Sequence, residues 1–144
     1  MAAEDLRGAE RRNEGVWQEQ RRLFSAKRFE EWVELWDPEG RFVVMYPVEG
    51  MPATIEGRDA LLANFGGLAG AVGEIRMTET EFRQTTDPDV AFVEYAMHMD
   101  LPAGGAYDNR IASRLTFRDG KLLELREYYN YPNYERFLRN IGAL

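Results

Sequence analysis

The chain has no cysteine and a single histidine, His98. A disulfide framework, a thiolate metal site and a cysteine nucleophile are therefore excluded, and one imidazole cannot build a multi-histidine metal centre. Lysine is scarce, with 2 residues against 16 arginines. No apolar run approaches the roughly 18 residues of a membrane-crossing helix, and the opening MAAEDLRGAERRNEG lacks the apolar core of a secretion signal. Nor is there an excess of positive charge: 18 basic residues face 25 acidic ones, for a net charge of −7. That balance argues against nucleic acid or an anionic membrane as partner. The expectation is a cytoplasmic protein.

What is present is a core. Apolar residues make up 44% of the 144 and aromatics 12%, enough for one globular domain spanning 1–144. Its first segment, about Leu6 to Ser25, has helical spacing with Val16, Gln20, Leu23 and Phe24 on one face. Residues 1–15 either extend this helix or move apart from it. Ser25 is placed to cap a second helix bearing Phe29, Trp32, Val33 and Trp36, which Asp37-Pro38-Glu39-Gly40 ends as a turn. Arg41 to Tyr46 reads as a strand, and a third helix starts near Arg58. Strands follow at about 74–84 and 89–101, and Asn133 is placed to cap a short last helix. Helices first, then antiparallel strands, then a short helix make an α+β fold with helices on one face of a curved sheet. The GGLAG after Asn64 follows a helix rather than a strand and is not a nucleotide loop.

The most informative stretch is YDNRIASRLTFRDGKLLELREYYNY, residues 107–131. Asp119-Gly120 between alternating runs predicts a hairpin. On the first strand Asn109, Ile111, Ser113, Leu115 and Phe117 share the buried face, and the arginines at 110, 114 and 118 share the other. These arginines are set to pair with acids such as Glu124 or to serve an interface. On the second strand Leu123, Leu125, Glu127 and Tyr129 fall together, which puts one carboxylate among apolar positions. A charge there has to be paired, protonated or facing a cavity.

Three strings carry a family resemblance. RRLFSAKRFEEWVELWDPEGRFVVMYP and IEGRDALLANF resemble the opening and the third helix of the nuclear-transport-factor-two-like, or ketosteroid-isomerase-like, superfamily. YDNRIASRLTFRDGKLLELREYYN is similar to the closing hairpin of SnoaL-like polyketide cyclases, and closer still to the phenazine-biosynthesis A/B proteins. The resemblance implies a cone: a curved, mostly antiparallel sheet wrapped around an apolar pocket, with three helices packed on it. It also implies a homodimer through the outer sheet face, no cofactor, and acid/base chemistry on an apolar or aromatic small molecule. Under it, Glu127 matches the catalytic acid of the phenazine group, whose partner histidine falls at Asn64. Ser113 stands nearest to the aspartate of the cyclases, and His98 near their functional histidine.

The candidates follow. Glu127, His98 and Tyr46 are the catalytic set. A pocket raises the carboxyl pKa toward neutrality, an imidazole titrates there already, and a phenol can donate to a developing oxyanion. Set against these are an arginine-paired Glu127, a surface or interface His98, and a core Tyr46. Strict alternation puts His98 on the polar face, and a bulge in its strand is needed to turn it inward. Asn64, Tyr95, Asn109, Ser113, Tyr129 and Trp36 are the substrate-binding candidates, with ordinary packing or backbone satisfaction as the alternative. No metal and no cofactor are expected. The reading is a small-molecule cyclase or isomerase of bacterial secondary metabolism, for example by epoxide-opening ring closure or enone isomerisation. A dehydratase, an epoxide hydrolase and a non-catalytic binding or assembly domain are the rivals.

Overall fold

The structure, a computed structural model, describes residues 3–144. Helix α1 (Ala3–Ser25) buries Ala9, Asn13, Trp17, Gln20, Leu23 and Phe24, a stripe recurring every three to four residues. Trp17, not Val16, is the fully buried centre of that stripe. The helix runs unbroken through 3–15, as an extended first helix, and residues 1–2 lie outside the described part. Ser25 does not cap a second helix: it belongs to the last turn of α1, which Lys27 terminates at φ +60. After it come the single turn α2 (Phe29–Trp32) and a 3₁₀ turn over 33–35.

Strand β1 (Trp36–Val44) begins five residues earlier than the composition of Asp37–Gly40 suggests. Those residues form a bulge inside the strand. Trp36 pairs with Leu122 and Arg41 with Glu124, so β1 spends three more residues than β6 between these points. Gly40 is required there, since a Cβ would sit 2.9 Å from the Asp37 carbonyl and 2.9 Å from the Trp36 ring. Arg118 clamps the bulge by donating to both Asp37 oxygens, at 2.8 and 3.1 Å. Then come β2 (Thr54–Glu56), α3 (Arg58–Gly66), the single turn α4 (Leu68–Ala71), β3 (Ile75–Gln84), β4 (Val90–Asp100), β5 (Ala106–Arg118), β6 (Lys121–Tyr129) and α5 (Tyr131–Asn140). The cap of α5 is Asn130, whose side chain accepts from the Asn133 amide, rather than Asn133 itself.

The six strands make one sheet in the order β2-β1-β6-β5-β4-β3, antiparallel except for the β1–β6 pair. Asp119 at φ +50 and Gly120 at φ +77 give the β5–β6 turn its primed, right-twisting geometry. A register shift between Thr116 and Phe117 brings Leu122 opposite Phe117 and Glu124 opposite Thr116. It leaves Leu123 as the extra residue, so Leu122 and not Leu123 points into the core. Glu124 lies on the outer face, buried under Arg41 and Arg126 at 2.6 and 2.5 Å; burial pushes its pKa up, but the hydrogen bonds and charges of the two arginines outweigh this and hold it below the usual range. Arg110 and Arg118 pair elsewhere, with Glu79 and with Asp37 and Glu39.

Curvature enters through β3. Thr78 faces Ala96 and Glu81 faces Glu94, so one extra residue is absorbed near Glu79, at φ +53. The bulge is in β3, and β4 keeps an unbroken register with β5 from Val90 to Asp100. Alternation along β4 therefore never slips: Ala91, Val93, Tyr95, Met97 and Met99 are all inward. Helices α1, α3 and α5 contribute residues opposite this concave face and leave a cone-shaped interior between.

Candidate functional site

The interior holds a cavity of about 220 Å³. Its sheet wall is Met77, Tyr95, Met97, Met99, Ile111 and Leu125, with Glu127 at the end of this apolar surface. Gln20, Phe24 and Trp32 come from the first helical segments, and Tyr134, Phe137 and Leu138 from α5. Met51, Leu68 and Ile141, partly exposed, and Pro52, Asn64 and Ala143, exposed, frame the mouth.

Glu127 is held in the middle of the sheet, opposite Val44 on β1 and Ser113 on β5. Among the described residues, none offers its carboxylate a hydrogen bond or a counter-charge; burial alone pushes its pKa up to about 7. By accessible area Glu127 is only part-buried, because its side chain opens onto the cavity; the surrounding protein is otherwise dense and apolar.

Tyrosines surround that carboxyl. Tyr95, Tyr107 and Tyr134 line the cavity with it, and Tyr129 lies close behind. Burial holds the hydroxyl pKa of each above the ordinary phenol range, and the Glu127 charge adds to the effect. Tyr107 is the best oriented. Its oxygen accepts from Asn109 Nδ2 at 2.8 Å, so its own proton is free to be donated. Asn109 is fixed in turn: Nδ2 also donates to the Asn130 carbonyl at 3.0 Å, and Oδ1 accepts from the Asn130 amide at 2.9 Å. A carboxyl half-ionised near neutrality beside a phenol with an unengaged proton can take a proton from carbon or oxygen while a neighbouring oxygen is hydrogen-bonded.

The SnoaL-like domain matches residues 17–125 of this chain. An uncharacterised PhzA/B-like protein of Pseudomonas aeruginosa is 32% identical over 102 residues, 69% of this chain and 70% of its own length. The chain belongs to the SnoaL-like family. Its fold is shared by a Bacillus subtilis protein provisionally assigned as an isomerase, with a TM-score of 0.83 at 20% identity over 92% of this chain and 96% of that one. A phenazine biosynthesis-related protein of Pseudomonas aeruginosa gives 0.81 at 22% identity, over 98% and 92%.

In this SnoaL-like domain the expected site residues separate into two groups. Glu127, Tyr95 and Asn64 line the cavity, Asn64 from the exposed mouth. The other six do not. His98 is on the outer face, between Asp108 at 2.7 Å from Nδ1 and Asp100 at 2.9 Å from Nε2, because β4 carries no bulge to turn it inward. Hydrogen bonds to Asp100 and Asp108 raise its pKa, but it is on the wrong side of the sheet. Tyr46 is 52% exposed: β1 ends at Val44, so the alternation that would aim Tyr46 inward stops before it. Trp36 is fully buried edge-on to Trp32, outside the cavity wall.

Tyr129 is spent on structure, donating to the Tyr46 carbonyl at 2.5 Å. Asn109 is fully engaged with Tyr107 and Asn130, so it positions a tyrosine instead of touching a ligand. Ser113 is sealed between Val93 and Glu127 in the sheet, beside the Tyr95 hydroxyl but without a well-formed hydrogen bond.

Tyr107, Tyr134 and Gln20 were not anticipated by sequence reasoning. The signal for Tyr107 was its parity with Asn109 and Ile111, and for Gln20 its polarity within an apolar stripe. Tyr134 reads as plain helix core, and nothing local distinguishes it. Among the described residues no group of three or more His, Asp or Glu side chains is arranged to hold a metal ion, and no helix is long and apolar enough to cross a membrane.

Proposed function

We propose that the protein is an acid/base catalyst of cyclisation or isomerisation, acting on an apolar or aromatic small molecule that carries a carbonyl or an epoxide. The observation that supports this is one unpaired carboxyl, poised to be half-ionised near neutrality, at the edge of an apolar cavity beside the free proton of Tyr107. In an enone isomerisation the Glu127 carboxylate removes an allylic proton. Tyr107 hydrogen-bonds the dienolate oxygen, and the protonated Glu127 returns the proton to another carbon of the same system. In a ring closure Glu127 takes the proton of the attacking hydroxyl as its oxygen bonds to the epoxide carbon. The C–O bond of the epoxide breaks, its oxygen takes the Tyr107 proton, and Glu127 passes the proton it removed back to the tyrosine oxygen.

Deuterium exchange at the carbon next to the carbonyl of 1-tetralone tests the proton-transfer step without the natural substrate. Wild-type protein should accelerate exchange, and Glu127→Gln should lose about 10²-fold or more of that acceleration. Undiminished exchange in the variant would remove Glu127 from the mechanism. The second reading, a ligand carrier, is favoured by Asn64 standing where the family resemblance expects a histidine. It would be supported by tight binding of 1-tetralone with no exchange in the wild type.

A further inference from the structure

Tyr95 stands in the β4 part of the cavity wall, 3% exposed, with its ring 5.0 Å from that of the fully buried Trp17. A phenol this deep in a core ordinarily pairs its hydroxyl with a carbonyl or a polar side chain. The Tyr95 hydroxyl makes no well-formed hydrogen bond to any described residue, yet protein atoms do not close it off. In a side chain so buried, the open space it meets is the cavity.

Ser113 connects this phenol to Glu127. Tyr95 faces Ile111 across the β4–β5 ladder, and Ser113 is the next inward residue of β5, a diagonal within reach of a tyrosine side chain. On its other side Ser113 is paired directly with Glu127 of β6. Ser113 Oγ is enclosed without a well-formed partner among the described residues, and the Tyr95 hydroxyl lies beside it. An enclosed hydroxyl of this kind destabilises a fold, and alanine would occupy the same space without that cost. A phenol both donates and accepts. When an acceptor oxygen enters the cavity, Tyr95 can turn its proton to that oxygen while its own oxygen accepts from Ser113.

We propose that Tyr95 is a further catalytic residue, donating a hydrogen bond to the substrate oxygen on which charge develops as Glu127 moves its proton. Ser113 is its positioning residue, donating to the Tyr95 oxygen and so directing the phenol proton into the cavity. No proton leaves Tyr95 in this step: burial and the nearby Glu127 charge both favour the neutral phenol, which stabilises the oxyanion by hydrogen bonding alone. This rests on the reading of Glu127 as the acid/base.

A double-mutant cycle on deuterium exchange into 1-tetralone tests it, with the rate at saturation read separately from the half-saturating concentration. Tyr95→Phe should slow exchange at saturation by about tenfold to a hundredfold and leave half-saturation within about twofold of wild type. Ser113→Ala should slow it by about threefold to tenfold, the effect of one supporting hydrogen bond. In the Tyr95→Phe background the same serine substitution should change the rate by less than about 1.5-fold, because no phenol oxygen is left to support.

Stability supplies a second readout. Ser113→Ala should raise the melting temperature by roughly 2–4 °C while it slows exchange, since it removes an enclosed hydroxyl. A serine that served packing alone would lower rate and stability together, in both backgrounds. Tyr95→Phe within twofold of the wild-type rate, an unchanged rate in Ser113→Ala, or equal slowing with and without the Tyr95 hydroxyl would each overturn the assignment. Each would leave the Glu127 reading intact, because Glu127→Gln would still lose exchange. Should Tyr95→Phe fail to fold, Ser113→Ala decides alone: an unchanged rate or a lowered melting temperature overturns the proposal. Absence of exchange in the wild type would overturn both readings.

Discussion

Replacing Glu127 with glutamine should stabilise the folded protein in alkaline solution and leave it unchanged relative to wild type in acid. The carboxyl titrates at an ordinary 4.5 in the unfolded chain and at about 7 when folded, because burial penalises its ionised form. Each pH unit of displacement is worth about 1.4 kcal/mol, so holding the bare carboxylate in the folded state costs about 3 kcal/mol. Below pH 4.5 the group is protonated in both states and costs nothing. Between about 4.5 and 7 the unfolded chain releases its proton and the folded chain keeps it, so stability falls as pH rises. Above about 7 the loss is complete.

Water admitted through the cavity mouth screens the charge, which makes about 3 kcal/mol a ceiling. Urea denaturation of wild type and Glu127→Gln at about pH 4 and about pH 8.5 gives the double difference directly, since every other titrating group is common to both proteins. At the higher pH the variant should gain up to about 3 kcal/mol over its acid-side difference, or up to roughly 10 °C in melting temperature for a domain of this size. A double difference under about 0.5 kcal/mol would mean that the carboxyl is solvated, and the acid/base assignment would lose its physical basis.

Two further measurements follow. Tyr107→Phe should lower the rate of tetralone exchange by about tenfold to a hundredfold with little change in binding, whereas His98→Gln should leave the rate within about twofold, because His98 is on the opposite face of the sheet. Gly40→Ala should destabilise the fold by about 1–3 kcal/mol in urea titrations, since its Cβ would meet the backbone oxygens of Asp37 and Leu122 at 2.9 and 3.2 Å inside the β1 bulge.

Much of the fold was legible because alternation and turn chemistry are local properties. The hairpin at Asp119-Gly120, the inward set from Asn109 to Phe117 and the inward set from Ala91 to Met99 all stand as the pattern implies. What the pattern could not supply was the position of the bulges. Asp37-Pro38-Glu39-Gly40 has the composition of a turn but is an irregular part of β1, held by Arg118 from 81 residues away. Leu122 replaces Leu123 in the core for a similar reason, one extra residue in β6.

The site divides along the same line. Glu127 stands out as a charge at an apolar position, and that is a local signal. Its neighbours are set by where strands end and which of them slips. Tyr46 is lost because β1 stops at Val44, and His98 because the slip near Glu79 occurs in β3 instead of β4. Tyr107 and Tyr134 gather around Glu127 through the packing of α5 on β5, a contact that no periodicity encodes.

The lone parallel pairing of the sheet has a chemical consequence. Strands β3 to β6 join neighbours in sequence, but β1 meets β6 only across a long loop: the Tyr129 hydroxyl bonds the Tyr46 carbonyl over 83 residues, and the Met45 amide bonds the Glu127 carbonyl at 3.1 Å. One flank of Glu127 is thus supplied by local pairing and the other by this long-range seam. Any opening of the seam that admits water returns the side chain to ordinary carboxylate behaviour near 4.5. The acidity of one glutamate therefore reports whether two distant parts of the chain are joined, and proton-transfer competence at neutral pH is a property of the closed sheet as a whole.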